Sequence, residues 1–233
     1  AVRELVVHRA DAVRDVYVRE DAWETHEDVV DVARRATRWV HPVTAEVSAA
    51  MSGDSQGICA VASLDALSRE LPEPSVGETI VVIAQGRDPG NVGTIIRTAD
   101  AFGAVGVVAV AGTVDAASPK VVRSSAGSVF HIPVCVATSF ADARARIHSR
   151  SAALLGTSGG AGSMSLADLL VQGVSGRSRL SQSHAWVFGN EARGLSGDEM
   201  RLCDALVSIP MTGDAESLNV ASAAATCLFA SQT

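Results

Sequence analysis

From Thr79 to Ala84 the chain reads Thr-Ile-Val-Val-Ile-Ala, with no charge and no alternation of polar and apolar residues. A strand with one wet face alternates. A strand covered on both faces does not, and such strands belong to parallel sheets flanked by helices. The run is too short for a buried helix and rich in β-branched residues, which favours the strand. Comparable runs recur at Gly106–Val110, Ala152–Leu155, His184–Phe188 and Ala205–Ile209. Helix-like stretches lie at Val92–Ala101, Phe140–His148, around Gly197–Cys203, and at Leu218–Ala230. Strands interleaved with helices predict an α/β fold with a mostly parallel sheet, whose ligands sit outside the carboxyl ends of the strands.

The front of the chain has another character. Residues 1–70 read as a helix to about Ala10, a short strand at Val16–Val18 and a helix around His26–Arg38. A small helix capped by Thr44 and a strand at Ile58–Ala62 follow, which together suggest a small α/β domain. This region holds 13 acidic and 8 basic residues, most of the net charge of −7. Leu71-Pro72-Glu73-Pro74-Ser75 has the rigid, turn-rich character of a boundary. The expected organisation is therefore a domain over 1–70, a linker over 71–76 and a second domain over 77–233. Because Ala1 opens directly onto a helical pattern (Val2, Leu5, Val6), the first domain is expected to lack its opening residues.

Composition excludes several classes. Hydrophobic residues make up 47% and charged residues 19%, the balance of a folded globular chain. No run supplies the roughly 20 apolar residues of a membrane span. No basic segment followed by an apolar one opens the chain as a secretory signal would. A cytoplasmic protein without a membrane partner is expected. Cys59, Cys135, Cys203 and Cys227 lie far apart, with no C-x-x-C pair and no histidine at ligand spacing. That predicts reduced thiols and no metal site. Net negative charge argues against a basic coat for nucleic acid and leaves room only for a local basic cleft. Lys120 is the one lysine among 19 basic residues. Arginine, which dominates the rest, suits bidentate phosphate contacts.

Three segments behind strand ends hold more glycine and polar groups than a connection needs. They are Asp88-Pro89-Gly90-Asn91-Val92-Gly93-Thr94-Ile95-Ile96-Arg97, Phe188-Gly189-Asn190-Glu191-Ala192-Arg193-Gly194-Leu195-Ser196, and Ile209-Pro210-Met211-Thr212-Gly213-Asp214-Ala215-Glu216-Ser217-Leu218-Asn219-Val220. Gly90 and Gly93 have the wrong spacing for a dinucleotide fingerprint, and no Walker A sequence is present. In order and spacing the segments resemble the three signature motifs of the SpoU branch of the SPOUT RNA ribose methyltransferases: N-x-G-x-x-x-R followed by T-A-x-A-F-G-A, then G-x-E-x-x-G-L, then I-P-M with S-L-N-V. Ser118–Gly127 also looks like this family, and the resemblance spans roughly Val76 to Phe229. The front domain is similar, more loosely, to the ribosomal-protein-like substrate-binding domain of many members.

The resemblance implies a C-terminal trefoil knot holding S-adenosyl-L-methionine among three loops, in a homodimer that 2′-O-methylates structured RNA. Ribosomal RNA, 23S rRNA in particular, is favoured over transfer RNA because of the front domain. A transfer-RNA ribose methyltransferase and a catalytically silent RNA-binding or ribosome-assembly protein of the same fold are the alternatives. Gly189, Ile209 and Leu218 are implied to lie against the cofactor, joined by Gly156, Thr157, Asn190, Gly194 and Met211. For Gly189 and Gly194 a tight turn is the competing reading, and for Ile209 and Leu218 a place in the core.

Arg97 is implied to activate the ribose hydroxyl. A guanidinium stays protonated, so holding a phosphate and stabilising negative charge on the oxygen is the simpler role, with literal deprotonation left open. Asn91 is read as the cap of the helix after it, compatible with positioning substrate. Glu191 is implied to orient catalytic groups by pairing with an arginine. Ser217 and Asn219 are read as opening the last helix and contacting substrate or cofactor. Arg87, Arg123 and Arg193 are candidates for a basic rim that binds RNA. On the last helix, Val220, Ala223, Ala224, Cys227 and Leu228 form an apolar face for internal packing or for a dimer interface.

Overall fold

The computed structural model of the chain describes residues 1–73, 75–160, 162–174 and 178–232, so Pro74 of the expected linker lies outside the described residues. The chain divides into Ala1–Ser68 and Arg69–Thr233. In the first unit, α1 (Val2–His8) leads to β1 (Val13–Arg19), α2 (Glu27–Ala36), β2 (Val40–Val43), α3 (Ala45–Met51) and β3 (Ile58–Ala62). β1 is central, with β2 parallel on one side and β3 antiparallel on the other. Val16 and Val18 are fully buried while Tyr17 between them is only half-buried, the alternation of a sheet with one packed face.

The structure adjusts the sequence reading here. Helix α2 stops at Ala36, not Arg38, because Thr37 turns extended (φ −145°, ψ 148°). The Thr37 hydroxyl donates to the Arg14 carbonyl at 2.8 Å and ties that corner to β1. Helix α1 likewise ends at His8 instead of running to Ala10. β2 has no sequence signal, since Pro42 inside a four-residue strand demotes it; Pro42 is tolerated because β2 is an edge strand.

The second unit runs β4 (Thr79–Ile83), α4 (Pro89–Ala101), β5 (Val107–Val110), α5 (Pro119–Ser124), β6 (Val134–Ala137), α6 (Phe140–His148), β7 (Ala153–Thr157), β8 (Met164–Ser165), α7 (Leu166–Val174), β9 (His184–Phe188), α8 (Gly197–Leu202), β10 (Ala205–Ser208) and α9 (Val220–Ala230). Its seven strands lie in the order β6-β5-β4-β9-β7-β10-β8, and every pairing is parallel. All residues of β4 and β9 are buried, as the uninterrupted apolar runs require. Trp186, Phe188, Ile80, Ile95, Ile96 and Leu228 are among the largest side chains fully enclosed.

Strand order explains how distant segments meet. The chain leaves β4 toward β5 and β6, then crosses to β7, two positions from β4 on the other side. β9 later fills the vacant place between β4 and β7. The direction of winding reverses there, and the crevice outside such a reversal is where open parallel sheets bind ligands. The segments after β4, β9 and β10 all emerge at that carboxyl edge.

The opposite edge is closed by polar anchors. Glu78 receives two bonds from Arg150, at 2.5 and 2.8 Å, with the carboxylate fully buried and the guanidinium 8% exposed. His184, also fully buried, meets the Ser231 hydroxyl at 2.9 Å, and the Trp186 indole donates to that same hydroxyl at 2.8 Å. These bonds fasten the end of α9 to β9. Burial pushes the His184 imidazole below its ordinary value. On α9, Ala224, Cys227 and Leu228 are buried within the chain and serve internal packing, while Val220 and Ala223 of the same face are half-buried. The outward face carries Ser222, Thr226 and Phe229 instead. The four cysteines are free thiols. No helix among the described residues is long and apolar enough to cross a membrane.

Candidate active site

Pro89 lacks an N–H and has its φ preset, so it suits the first helical position of α4. Asp88 before it is the cap: its Oδ1 accepts the Asn91 N–H at 2.9 Å. Asn91 is therefore not the cap expected from sequence but the third residue of the helix. Its side chain is left free to reach outward. The Asn219 Nδ2 donates to the Asn91 Oδ1 at 3.0 Å, while the Asn219 Oδ1 accepts the N–H groups of Ala221 and Ser222 at 2.8 and 3.4 Å. Asn219 thus caps α9 and joins the amino termini of two helices. The cap sets the start of α9 at Val220, not Leu218, and leaves Ser217 and Leu218 ahead of the helix, both exposed.

The loop after β9 closes on itself. Asn190 and Gly194 exchange backbone bonds of 3.0 and 2.8 Å, with Gly194 at φ +67°. The loop folds so tightly over Gly189 that a β-carbon there would lie 2.3 Å from the Gly194 carbonyl carbon and 2.4 Å from the Leu195 nitrogen. Both are backbone atoms, which cannot swing aside. Gly189→Ala is accordingly expected to displace the loop and destabilise the protein by about 1–3 kcal/mol, as overpacking does. A denaturation midpoint equal to that of the wild type would show that the loop has room to spare.

This closed loop carries Glu191 toward α4. The Glu191 Oε1 accepts the Asp88 N–H at 3.3 Å, and Glu191 forms no ion pair among the described residues. The expected arginine partner is replaced by a backbone donor. The reason is register: Ile83 pairs with Phe188, so the loops following these neighbouring strands run side by side. The Asn190 amide adds a second tie, donating to the Gln85 carbonyl at 3.3 Å. Sequence reasoning missed Asp88 and Gln85 as organisers of the site, although Asp-Pro at a helix start is a capping signal.

Arg97 lies six residues beyond Asn91, about 9 Å further along α4 at 1.5 Å per residue. It is exposed and has neither hydrogen bond nor ion pair among the described residues. Arg87, in the loop after β4, and Arg193, in the loop after β9, are exposed as well. Arg123 is exposed near the end of α5, which is bound to the start of α4 through the Ser124 hydroxyl donating to the Pro89 carbonyl at 2.8 Å. Where α5 crosses α4, a β-carbon on Gly93 would meet the Ser124 Oγ at 1.9 Å, so this glycine allows the two helices to touch.

Beyond β10 the chain is open. From Met211 to Leu218 every residue is exposed, and none of the backbone or side-chain groups of these described residues makes a hydrogen bond. Met211 and Leu218 are each 42% exposed and Ile209 is half-buried, so free N–H and C=O groups alternate with accessible apolar surface. Adenine and ribose require that combination. On β7, Thr157 donates its hydroxyl to the Val187 carbonyl at 2.8 Å. Gly156 is buried, and a β-carbon there would meet the Cys203 Sγ at 2.7 Å, so its lack of a side chain serves close packing. Burial, with the carboxylates of Asp204 and Glu199 nearby, pushes that Cys203 thiol up to about 12. It remains protonated and unreactive.

With this geometry in place, relatives supply the family. Residues 78–229 match the sequence model of the SpoU rRNA Methylase family. The 23S rRNA (guanosine-2′-O-)-methyltransferase RlmB of Bordetella pertussis is 32% identical over 231 residues, covering 96% of this chain and 90% of the relative. Among solved structures, the SpoU methyltransferase AviRb from Streptomyces viridochromogenes aligns with a TM-score of 0.81 at 27% identity, over 99% of this chain and 86% of that one. An AdoMet-bound rRNA methyltransferase from Sinorhizobium meliloti aligns with a TM-score of 0.76 at 29% identity, over 98% and 84%. The chain belongs to the SpoU rRNA Methylase family.

Proposed function

We propose that the protein methylates the 2′-hydroxyl of a ribose in 23S rRNA, using S-adenosylmethionine. The observation that carries this reading is the meeting of three separate segments at one sheet edge, where Asn91 touches Asn219 and Glu191 touches the cap of α4, below an unpaired Arg97. Relatives named for this activity, and AdoMet-bound structures of the same fold, support it.

Ile209, Met211 and Leu218, with Gly189, Asn190, Gly194 and the end of β7 at Gly156 and Thr157, would hold the cofactor. When bound, S-adenosylmethionine supplies a methyl on a sulfonium, already a good leaving group. What remains for the chain is to align the ribose oxygen and ease loss of its proton. Arg97 holds the neighbouring phosphate and stabilises negative charge on that oxygen. Asn91 and Asn219 share one hydrogen bond, which leaves the rest of both amides to orient substrate. Glu191 holds the start of α4 in place through Asp88, and Ser217 lies beside Asn219 to contact either ligand. Arg87, Arg123 and Arg193 form the basic rim.

The wider reading follows the family. Residues 77–233 form a trefoil-knotted catalytic domain, residues 1–70 a substrate-binding domain and 71–76 the linker. The protein works in the cytoplasm as a homodimer, and the exposed Phe229, Thr226 and Ser222 on α9 offer a surface for the partner subunit.

Incubation with methyl-labelled cofactor and, in separate reactions, ribosomal and transfer RNA tests the substrate. Label is expected in 23S rRNA alone. Label in transfer RNA would redirect the assignment, and cofactor binding without transfer to either would leave a silent RNA-binding protein.

A further inference from the structure

The sheet of the first unit carries a row of rings. Tyr17 on β1 and His41 on β2 are register partners, and their rings stack with centroids 4.9 Å apart at 24°. Trp39, just ahead of β2, continues the row at 6.2 Å and 16° from His41. The Arg38 guanidinium lies over the Trp39 ring, 4.6 Å from its centroid. Ring pairs in the second unit meet edge to face, at 71° for Phe102 with Phe229 and 88° for His184 with Trp186. The row in the first unit is instead a column of near-parallel planes whose end is covered by the Arg38 guanidinium alone, with Trp39 still 50% exposed.

The column is held in place before anything binds. Asp15 bonds the His41 ring at 3.0 Å, and the Thr37 hydroxyl accepts the backbone N–H of Trp39 at 3.1 Å. Such fixing lowers the ordering cost of binding. Charge around it is selective. Arg3, Arg9, Arg19 and Arg34 each have an acidic partner, at Asp28, Asp11, Asp21 and Asp31. Arg14, Arg35 and Arg38 are exposed and have none among the described residues. Arg35 and Arg38 flank Thr37, and the Arg14 carbonyl is its bonding partner. In an acidic unit, these three arginines lie on the segments joined at Thr37, and the Arg38 guanidinium rests on the Trp39 ring.

We propose that this column is a stacking platform for an unpaired base of the RNA substrate. The inference rests on the reading above that the substrate is RNA. A nucleobase extends the column on Trp39, in the plane the Arg38 guanidinium now occupies, and Arg38 shifts onto the base or its phosphate. Every base offers a π face, so stacking of this kind tolerates sequence and requires an unpaired segment. The free arginines take the flanking phosphates.

The test uses the full chain, a mixed-sequence single-stranded RNA 12-mer, the same RNA as a duplex, and 23S rRNA. The single strand is expected to quench tryptophan fluorescence and to bind at least tenfold tighter than the duplex. Trp39→Ala is expected to weaken single-strand binding about 10- to 100-fold, the loss typical of one stacked base. Trp39→Phe should recover most of it, and Arg38→Gln should lower the salt slope by roughly 0.7. Cofactor binding, followed by calorimetry, should be the same in all of them. Equal affinity for single strand and duplex, or for Trp39→Ala and wild type, would overturn the proposal even while 23S rRNA is methylated. A ribosomal protein binding Trp39 without RNA would overturn it too. Should Trp39→Ala not fold, the strand comparison and Arg38→Gln decide. Loss of methyl transfer and cofactor binding in the wild type would instead defeat the function on which the inference rests.

Discussion

Replacing Arg97 with alanine is expected to slow methyl transfer by roughly 10²–10³, the usual loss when one oxyanion-stabilising contact is removed. Cofactor affinity should stay within a few fold. The separation follows from geometry: Arg97 is exposed on α4 and no hydrogen bond or ion pair is broken by its removal. Alanine is also the best helix former, so α4 should hold its shape. Single-turnover transfer and calorimetry with S-adenosylmethionine give the two readings. A parallel loss of cofactor binding would make Arg97 a structural residue.

The second large effect lies at the opposite edge of the sheet. Arg150→Ala is expected to destabilise the protein by about 3–5 kcal/mol, because it strands a fully buried Glu78 carboxylate without its counter-charge. The two bonds of 2.5 and 2.8 Å hold Arg150 above its usual basicity, with the Glu78 hydrogen bond as the main cause. Glu78 also accepts the Ser75 N–H at 3.2 Å, so the pair anchors the chain entering β4. Urea unfolding measures the cost. Replacing both partners with apolar residues of similar volume should restore much of the loss, since such pairs are often neutral to exchange as a unit. A loss below about 1 kcal/mol for Arg150→Ala would mean that water reaches Glu78 and screens it.

The sheet of the second unit was legible where its strands are covered on both faces. Thr79–Ile83 and His184–Phe188 stand in the centre, and their sequences contain almost nothing polar. β6 was not legible: it is a short edge strand behind Pro133, with Val136 58% exposed, so it lacks both length and pattern. α5 and α7 were missed as well. The three segments of the candidate site could be recognised from their spacing, but their mutual contacts could not. Asn91 and Asn219 are 128 residues apart and meet only because α9, after β10, packs back against α4. The resemblance implies an arginine partner for Glu191, whereas the strand register supplies a backbone N–H. The stacked rings were hidden for the same reason. Tyr17 and His41 become neighbours through the pairing of β1 with β2, a strand the sequence does not reveal.

Nuclease digestion of 23S rRNA after incubation with the protein and S-adenosylmethionine, followed by mass spectrometry of the nucleosides, tests the central claim most directly. The account predicts one additional 2′-O-methylated nucleoside, formed in stoichiometric amount by the wild type and nearly absent with Arg97→Ala. A methyl group found on a base, or an RNA left unmodified by a protein that binds both cofactor and RNA, would contradict it.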